Sequence, residues 1–493
     1  MHKITREYSK HRFLPNEDGA ATPWAIILFL CFMGIGGLAV DFNKAISERT
    51  QMQTATDSAA HAAAYKWEFE GTDYATNVAL ELTQPMLPEV AYNDAILPTD
   101  IEYGFWDPDL GTFTVDPTFE EDKDIPLRSA VRATARLETG RLNASNNILL
   151  GVIGWDTFDI DTRSVYATYY PPCFTEGFVA DDIVDMQSNS NYLDGFCMHS
   201  NTHVSLNQNN FFEAGTVVSM PNLADLDIPT SGFEKNEGLQ AALRKGKYNL
   251  RILRQMPEMY QALREGEMFY GNLELTGMAG ITAKRAPIYP LDITHNGAGG
   301  SATEEDVVAA LTLMDSTGDD ELMNALPRMN GDDQGKKTMT PMHFKPRNRI
   351  FRAECSGNGD ITMAAGHYED FVMITDCPVK FANGALLDGV LIATEADVDG
   401  SHVQIGMDDK CAEGGNAGIW TMGSFRVASG MQGYGAQILA WGDIEFAAQA
   451  NGMEGVSFIS YGRIDGTSES DMGYCDGKGT DNFAAVPYYR MVQ

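Results

Sequence analysis

The sequence has little positive charge, and this argues against several classes of partner. Of its 493 residues, 35 are Lys or Arg and 69 are Asp or Glu, so the formal net charge is −34 at pH 7. A surface of this sign repels the phosphates of nucleic acids, so no nucleic-acid partner is expected. An acidic exterior is compatible with an exported protein or with one that holds cations, and it also serves solubility alone.

Several short motifs are absent as well. No two cysteines form a CxxC pair, which argues against a zinc ribbon or a thioredoxin-like site. The chain has no Walker A sequence and no GxGxxG that follows a predicted strand, so nucleotide binding is not expected. What remains is a chain of ordinary globular composition, with 44% hydrophobic and 21% charged residues, long enough for two or three domains.

Charge is missing altogether from residues 20–40, and Trp24 opens an almost continuous apolar run there. About 20 such residues suffice for a helix to cross the hydrocarbon core of a bilayer. Basic residues precede the run at Lys3, Arg6, Lys10 and Arg12. By the positive-inside rule, residues 1–19 form a cytoplasmic tail, 20–40 a single transmembrane helix, and the remainder is translocated.

Residues 41–81 lack proline and contain one glycine, Gly71. Apolar residues recur there at helical spacing, at Phe42, Ala45, Ile46, Met52, Ala55, Ala59 and Ala63. Small alanines allow a neighbouring helix to approach closely. We therefore predict that the membrane helix continues as a long amphipathic stalk helix over 41–84.

Residues 34–64 read GIGGLAVDFNKAISERTQMQTATDSAAHAAA. This string resembles the N-terminal signature of Flp/Tad pilus-assembly proteins of the TadE/TadG type. The matching positions are Gly36, Gly37, Ala39, Asp41, Gln53, Ala55, Asp57, Ala59 and Ala62 to Ala64. The resemblance implies an anchor in the bacterial inner membrane, a periplasmic or surface-exposed body, and contact with other pilus-assembly subunits through this helix.

One departure from the family pattern refines the expectation. Processed pilins of this kind carry a Glu at the fifth position after a cleavage-site glycine, but the fifth residue after Gly19 is Trp24. The resemblance therefore favours a TadG-like accessory or minor subunit over a processed major pilin.

Residues 85–172 predict a small α/β module next to the membrane. Strand-like segments lie at 100–106, 112–115, 130–136 and 158–169, with a helix-like segment at 147–153. Pro171 and Pro172 close the module.

Beyond Cys173 the sequence repeats itself with a period near 20 residues. The segments starting at Gly423 and Gly442 share one pattern, and Gly462 begins it again. Two short alternating stretches per period, with glycine and asparagine corners, are typical of a parallel β-solenoid. We predict its first part at 173–232 and its main part at 346–493, with an antiparallel sandwich as the alternative.

Residues 233–345 predict an α-rich insertion of unassigned role in the solenoid. Leucines recur at helical spacing between Glu237 and Arg264, although Pro257 should split or kink that stretch, so two shorter helices are expected rather than one. Further helices are expected over 303–326. The fold class predicted for the whole chain is thus α+β and multidomain.

Six isolated cysteines in an exported chain suggest disulfides, while Cys31 lies in the apolar run. Six cysteines allow 15 pairings, and the sequence cannot choose among them. The sequential pairing closes the shortest loops and is the one we expect: Cys173 with Cys197, Cys355 with Cys377, and Cys411 with Cys475.

Candidate catalytic and metal-binding residues are few. Asp397, Asp399 and Asp360 lie in short acidic-glycine loops and are calcium candidates, but neither loop continues into an EF-hand or an RTX repeat. Asp408 and Asp409 are adjacent, but no Asp-Asp pair is joined to the Gly-His-Gly that a polysaccharide lyase would combine with it, so we expect no enzyme. Two functions stay open: a pilus-assembly subunit with a surface for protein contact or adhesion, and an anchored glycan-binding or glycan-cleaving protein.

Overall fold

The structure is a computed structural model of the chain. It describes residues 21–116, 128–271, 273–281, 288–291, 337–345, 347–355, 359–410, 412, 414–467, 471–473, 475 and 483–493. The basic tail at 1–19 and the helices predicted over 303–326 lie outside these residues. The chain folds into two compact units, one that ends at Tyr169 and also includes Tyr489–Gln493, and one that comprises Tyr170–Tyr488.

The first unit begins with the long helix α1, which spans Ala21–Thr83. The run is alanine-rich and has no proline after its first turn, so every later residue can donate its backbone N–H to the helix. Gly71 alone departs from helical geometry, with φ 81° and ψ 169°, and it kinks the helix. The predicted membrane helix therefore runs into the stalk without a break at residue 41, but the stalk, predicted as one helix over 41–84, is interrupted at Gly71. A short helix α2 follows at Glu89–Tyr92.

A sheet of five strands completes the first unit. The order of these strands across the sheet differs from their order in the sequence. The first three pairings run antiparallel, with Gly104 opposite both Val115 and Ala130, and Ala133 opposite Ser164. The chain returns at its C-terminus to add the last strand, and Val165 exchanges backbone hydrogen bonds of 2.9 Å with Val492 and Gln493. The strands, in spatial order, are Thr112–Val115, Ile101–Asp107, Arg128–Leu137, Ile160–Tyr169 and Tyr488–Met491. A two-stranded ribbon pairs Ser145–Asn146 with Thr157–Phe158.

The alanine stripe of α1 packs on this sheet. Six helix alanines, together with Ile101, Tyr103, Val131 and Ala133, form one buried cluster. Met52 and Ala55 enter a second cluster with Leu137 and Ile160. Small side chains bring the helix backbone close to the sheet, so the stripe predicted to meet partner helices is covered by the chain's own strands.

The second unit consists mainly of parallel strands arranged in three columns. Within each column, a strand pairs with the strand about 20 residues further along the chain: Gly177 lies opposite Cys197, and Cys197 opposite Val217. The pairing is parallel throughout the three columns, so the antiparallel sandwich is not the fold of these described strands. A separate antiparallel hairpin joins Phe269–Tyr270 to Leu273–Glu274.

Column one contains the strands Gly177–Ala180, Cys197–Ser200, Val217–Met220, Leu243–Lys245, Ile288–Leu291, Arg349–Ala353, the second halves of Gly366–Thr375 and Ala385–Thr394, Ala417–Thr421, Ala436–Ala440 and Ser457–Ser460. Column two contains Val184–Met186, Val204–Leu206, Lys337–Met339, Ile361–Met363, Val379–Phe381, Val398–Gly400, the first halves of Phe425–Tyr434 and Ile444–Glu454, and Ile464–Gly466. Column three contains Asn191–Tyr192, Phe211–Phe212, Gln404–Ile405 and Asp471–Gly473. It also contains the first halves of Gly366–Thr375 and Ala385–Thr394 and the second halves of Phe425–Tyr434 and Ile444–Glu454.

The columns do not follow chain order. In column one, Ser457 lies opposite Gly177 in parallel pairing, and in column two Ile464 lies opposite Val184. The last strands of the repeat thus stack on its first strands, and residues 177–245 extend the stack at the end that residues 457–473 form.

Among its described residues this unit has three short helices, α3 (Pro172–Thr175), α4 (Gly232–Lys235) and α5 (Leu239–Ala242). Its longest helix is α6 (Arg251–Arg264). The stretch 237–264 does contain two helices, α5 and α6, but the break lies between residues 242 and 251, and Pro257 lies inside α6 without splitting it. The Leu253 carbonyl, which Pro257 cannot bond because it lacks an N–H, accepts a 2.8 Å hydrogen bond from the Trp441 indole.

The two faces of column one are both buried. Its inward residues join the central core, and its outward residues, such as Val372, Leu391 and Leu439, pack against α6 and the segment after it. This explains the continuously apolar runs in several of its strands, such as residues 390–393 and 438–440. Residues 233–345, predicted to be α-rich, therefore contribute a cover for column one and also strands of the columns themselves.

Candidate functional site

The apolar N-terminal part of α1 makes few contacts within the protein. Trp24 is 64% exposed, Phe29 62% and Phe32 68%. Among the described residues, one helix, over Thr22–Trp67, is long and apolar enough to cross a membrane. Large apolar side chains left uncovered in this number need an apolar environment outside the chain.

Asp41 marks the point where this exposed run meets the folded unit. It is 1% exposed, and its carboxylate accepts three backbone hydrogen bonds, from the N–H groups of Ile148 (2.9 Å), Leu149 (2.9 Å) and Leu150 (2.7 Å). These residues lead into a short 3-10 helix at Leu150–Ile153. A buried carboxylate is stable when N–H donors satisfy it, and here the donors come from a segment more than 100 residues away in sequence.

Gly37 explains part of the glycine signature. A Cβ at this position would lie 2.9 Å from Cδ2 of Leu150 and 3.3 Å from Cβ of Leu149. The segment can therefore lie against the helix only where a side chain is missing. At Gly36 the same contact is looser, with Leu149 at 4.0 Å.

A polar cluster lies one to two turns beyond Asp41. Lys44 Nζ donates to Ser145 Oγ and to the Asn146 carbonyl, both at 2.9 Å, and pairs with Glu48 at 3.0 Å. Ser145 Oγ in turn donates to Glu48. Sequence reasoning missed this cluster, because Ser145 and Asn146 belong to no recognised motif.

The remaining signature residues fix α1 on the sheet. Gln53 donates from Nε2 to Asp57 Oδ1 at 2.8 Å and to the Arg163 carbonyl at 3.0 Å, and Ala55 is fully buried. Ala39, by contrast, is exposed. The structure thus brings Gly36, Gly37 and Asp41 together around one segment, and it places Gln53, Ala55 and Asp57 on the sheet-facing side.

Two of the predicted disulfides, Cys173–Cys197 and Cys355–Cys377, are confirmed. Cys475 is disulfide-bonded as well, while Cys411, its predicted partner, lies outside the described residues. Cys31 is free and exposed in the apolar run.

The three calcium candidates do not converge. Asp360 pairs with Lys380, and this hydrogen bond and charge raise the pKa of the lysine. Asp397 Oδ1 accepts the Ser424 N–H at 2.7 Å and so joins one turn of the repeat to the next. Neither of the two metal-type clusters among the described residues contains Asp360, Asp397 or Asp399.

Those two clusters are satisfied by groups of the chain itself. One includes Cys355 and Cys377, whose sulfurs are joined to each other. The other groups His367, Glu369 and Asp388, with His367 Nε2 at 2.9 Å from Asp388 Oδ2. Glu369 pairs with Arg347, and Lys345 Nζ lies 3.9 Å from the Glu369 carboxylate, so two cations of the chain compete with a metal for this ligand.

Column two carries a ladder of charges on its outer face. Lys380, Asp399, Arg426, Glu445, Asp465 and Asp185 follow one another in register. Burial, followed by the neighbouring Asp465 charge, raises the pKa of Asp185, while Arg463 pairs with both carboxylates. The ladder is a mixed-sign surface, well suited to solvation and to polar contact.

Comparisons with known proteins identify two regions. A family model described as a domain of unknown function (DUF7867) matches residues 177–298 and 292–476, more than half of the chain. A model described as Flp pilus-assembly TadE/G-like matches residues 19–66, the region of the predicted resemblance. Searches of curated proteins and of solved structures each find no match.

Proposed function

Since the chain belongs to the family described as a domain of unknown function (DUF7867) and begins with a TadE/G-like segment, we propose that it is a membrane-anchored accessory or minor subunit of an Flp/Tad-type pilus-assembly system. The observation that carries the proposal is α1, in which the TadE/G-like match covers both the exposed apolar run and the buried Asp41. One helix thus joins an anchor to a folded body.

The anchor argument rests on exposure and charge. The large side chains of the apolar run of α1 are exposed, because the rest of the first unit does not cover them. From Met52 onward, one side of the helix is buried against the sheet. The basic residues before the run favour a cytoplasmic N-terminus and a periplasmic or surface-exposed body, in the inner membrane of a bacterium.

A second face of α1 is available to a partner. Ile35, Leu38, Phe42 and Ile46 recur at helical spacing and are 48–65% exposed. At 3.6 residues per turn they lie on roughly the opposite side of the helix from Gly37, Asp41 and Lys44. Because the alanine stripe is covered by the chain's own sheet, this apolar face is the one we assign to other pilus-assembly subunits.

We further infer that the three columns form a β-solenoid whose exposed columns two and three serve protein or surface contact, including adhesion. Parallel pairing at steps near 20 residues supports this inference. Near the ends of the stack, Phe344 stacks on Phe371 at 4.1 Å, and Leu239 and Ala242 enter the same core.

The use of the acidic residues supports the proposal of a structural rather than an enzymatic role. Asp376 accepts the Cys355 N–H, Asp397 the Ser424 N–H, and Asp443 the Arg463 N–H. Carboxylates that fix corners are not poised for acid–base chemistry, so the alternative of an anchored polysaccharide-cleaving protein has less support.

The test is crosslinking in cells from the exposed face of α1. A photoreactive benzoylphenylalanine replaces Phe42, which is 57% exposed, and the control carries it at Val90, which is fully exposed in the same unit. We expect adducts with pilus-assembly subunits from position 42 and not from position 90. Recovery of lipid alone from position 42, or equal protein adducts from both positions, contradicts the proposal.

A further inference from the structure

The segment that Asp41 holds, residues 147–155, has an unusual surface. Its sequence, NILLGVIGW, contains no charge. Four of its large apolar side chains are exposed: Ile148 63%, Val152 66%, Ile153 49% and Trp155 53%. An exposed apolar patch of this kind marks a contact site for a partner or a membrane.

We propose that residues 147–155 form a second membrane contact, a loop that dips into the outer edge of the bilayer beside α1. The inference rests on the proposed function, because it assumes that the apolar run of α1 spans the membrane. The occupant to which we assign the patch is therefore lipid.

The position of the loop along α1 supports lipid as that occupant. Leu149 and Leu150 contact Gly37, which lies inside the uncharged run that ends at Val40. At 1.5 Å per residue, Gly37 lies on the order of 5 Å inside the end of that run. A loop docked there reaches the depth at which α1 itself is surrounded by acyl chains.

The backbone of the loop is prepared for an apolar environment. The Asp41 carboxylate accepts hydrogen bonds from the N–H groups of Ile148, Leu149 and Leu150. Backbone carbonyls within the loop accept hydrogen bonds from the N–H groups of Val152, Gly154 and Trp155. The Asn147 side chain donates to the Trp155 carbonyl at 2.8 Å. In lipid an unsatisfied backbone donor is costly, so a loop bound for water would not need this degree of internal pairing.

The change from apolar to charged residues along α1 agrees with a position of the loop at the edge of the hydrocarbon core. Lys44 lies about 10 Å and Glu48 about 16 Å further along the helix than Gly37, so the charged cluster that they form with Ser145 begins at the distance of lipid headgroups. Trp155, an aromatic residue with a polar N–H, is the type of side chain enriched at that boundary.

The experiment uses the full chain in vesicles of phosphatidylethanolamine and phosphatidylglycerol. Cys31 is changed to Ser, and an environment-sensitive bimane is attached at Val152→Cys, with Leu110→Cys as the control. Leu110 is 75% exposed on a turn of the same unit, and Ile27→Cys reports the anchor. The Cys31→Ser chain without an added cysteine, treated with the same label, gives the blank.

We expect doxyl-labelled lipid to quench the probe at 152 at least threefold more than the probe at 110, and aqueous iodide to show the reverse order. Iodide access at 152 equal to that at 110, with lipid quenching at 27, overturns the loop contact and leaves the anchor. Iodide access at 27 as well overturns both. Shielding of 152 from both quenchers indicates a protein cover and also overturns the inference.

Discussion

In the first unit one carboxylate, Asp41, holds a whole segment through three backbone hydrogen bonds, whereas in the second unit single hydrogen bonds of the same kind recur from turn to turn. Asn210 accepts from Ser190, Asp397 from Ser424 and Asp443 from Arg463. Losing one repeated contact leaves its neighbours in place. Losing Asp41 removes all three bonds together, so the first unit is the more vulnerable to a single polar substitution.

The largest loss of stability is expected at the junction where the last strands of the repeat stack on its first strands. Phe178 is fully buried and stacks on Phe458 at 5.2 Å, with Phe196 and Phe446 also in contact. Phe178→Ala should destabilise the second unit by about 4 kcal/mol, since it leaves a cavity among aromatic rings. The midpoint of urea unfolding, followed by Trp420 and Trp441 fluorescence, measures this loss.

The matched control is Phe211→Ala, the same truncation at a ring that is 36% exposed. It should cost less than half as much. Equal losses at the two positions would mean that the junction is not part of the continuous core.

The disulfide next to column one comes second. Replacing both Cys355 and Cys377 by Ala opens a link across 22 residues and should cost about 3 kcal/mol in urea unfolding under oxidising conditions. Cys31→Ser removes an exposed free thiol and should leave the unfolding midpoint unchanged. A midpoint for the double variant that matches the parent would show that the link adds no stability.

Asp41→Asn is expected to have the third-largest effect on free energy, and this effect is confined to the segment that Asp41 holds. The amide keeps one acceptor oxygen and loses the charge, so opening of the docked segment should become easier by about 2 kcal/mol. Hydrogen exchange at the Ile148–Leu150 amides, in detergent micelles, should then accelerate about 30-fold, since each 1.4 kcal/mol corresponds to a factor of ten.

Asp161→Asn supplies the comparison for Asp41, because its side chain is 68% exposed in the same unit. Exchange at residues 148–150 should not change in that variant. If it accelerates in both, the effect is one of general charge rather than of the three hydrogen bonds.

The smallest effect is expected at a repeated corner. Asp397→Ala removes one exposed hydrogen bond to Ser424 and should cost about 0.5–1 kcal/mol. Asp397→Asn should be close to neutral, because asparagine already accepts the equivalent bond at Asn210. A loss at Asp397 as large as that at Asp41 would remove the distinction between single and repeated contacts.

Much of this architecture is accessible from sequence. The apolar run, the signature of residues 34–64, the parallel pairing of the repeat and two disulfides are all predicted, because each depends on local pattern or short spacing. The continuous apolar runs of column one, such as 390–393 and 438–440, also signal burial on both faces, which the prediction of a simple alternating strand does not include.

Three features have no local signal. The stacking of Ser457–Ser460 on Gly177–Ala180 joins repeats that resemble every other pair, so nothing in their sequence specifies which are neighbours. The helix-like segment 147–153 carries no hint that Asp41 holds it. Pro257 predicts a break in the helix, but the tertiary donor at Trp441 compensates for the missing bond.

The stacking of the last turn on the first has a consequence for biogenesis. Asn191 and Asp471, which share a 2.6 Å hydrogen bond at this junction, are separated by 280 residues. A ribosome completes the first turns long before the strand that shields their open edge exists, so the nascent chain carries an unpaired, aggregation-prone border for most of its synthesis. Truncation near the C-terminus should accordingly yield insoluble product rather than a shorter stable fold.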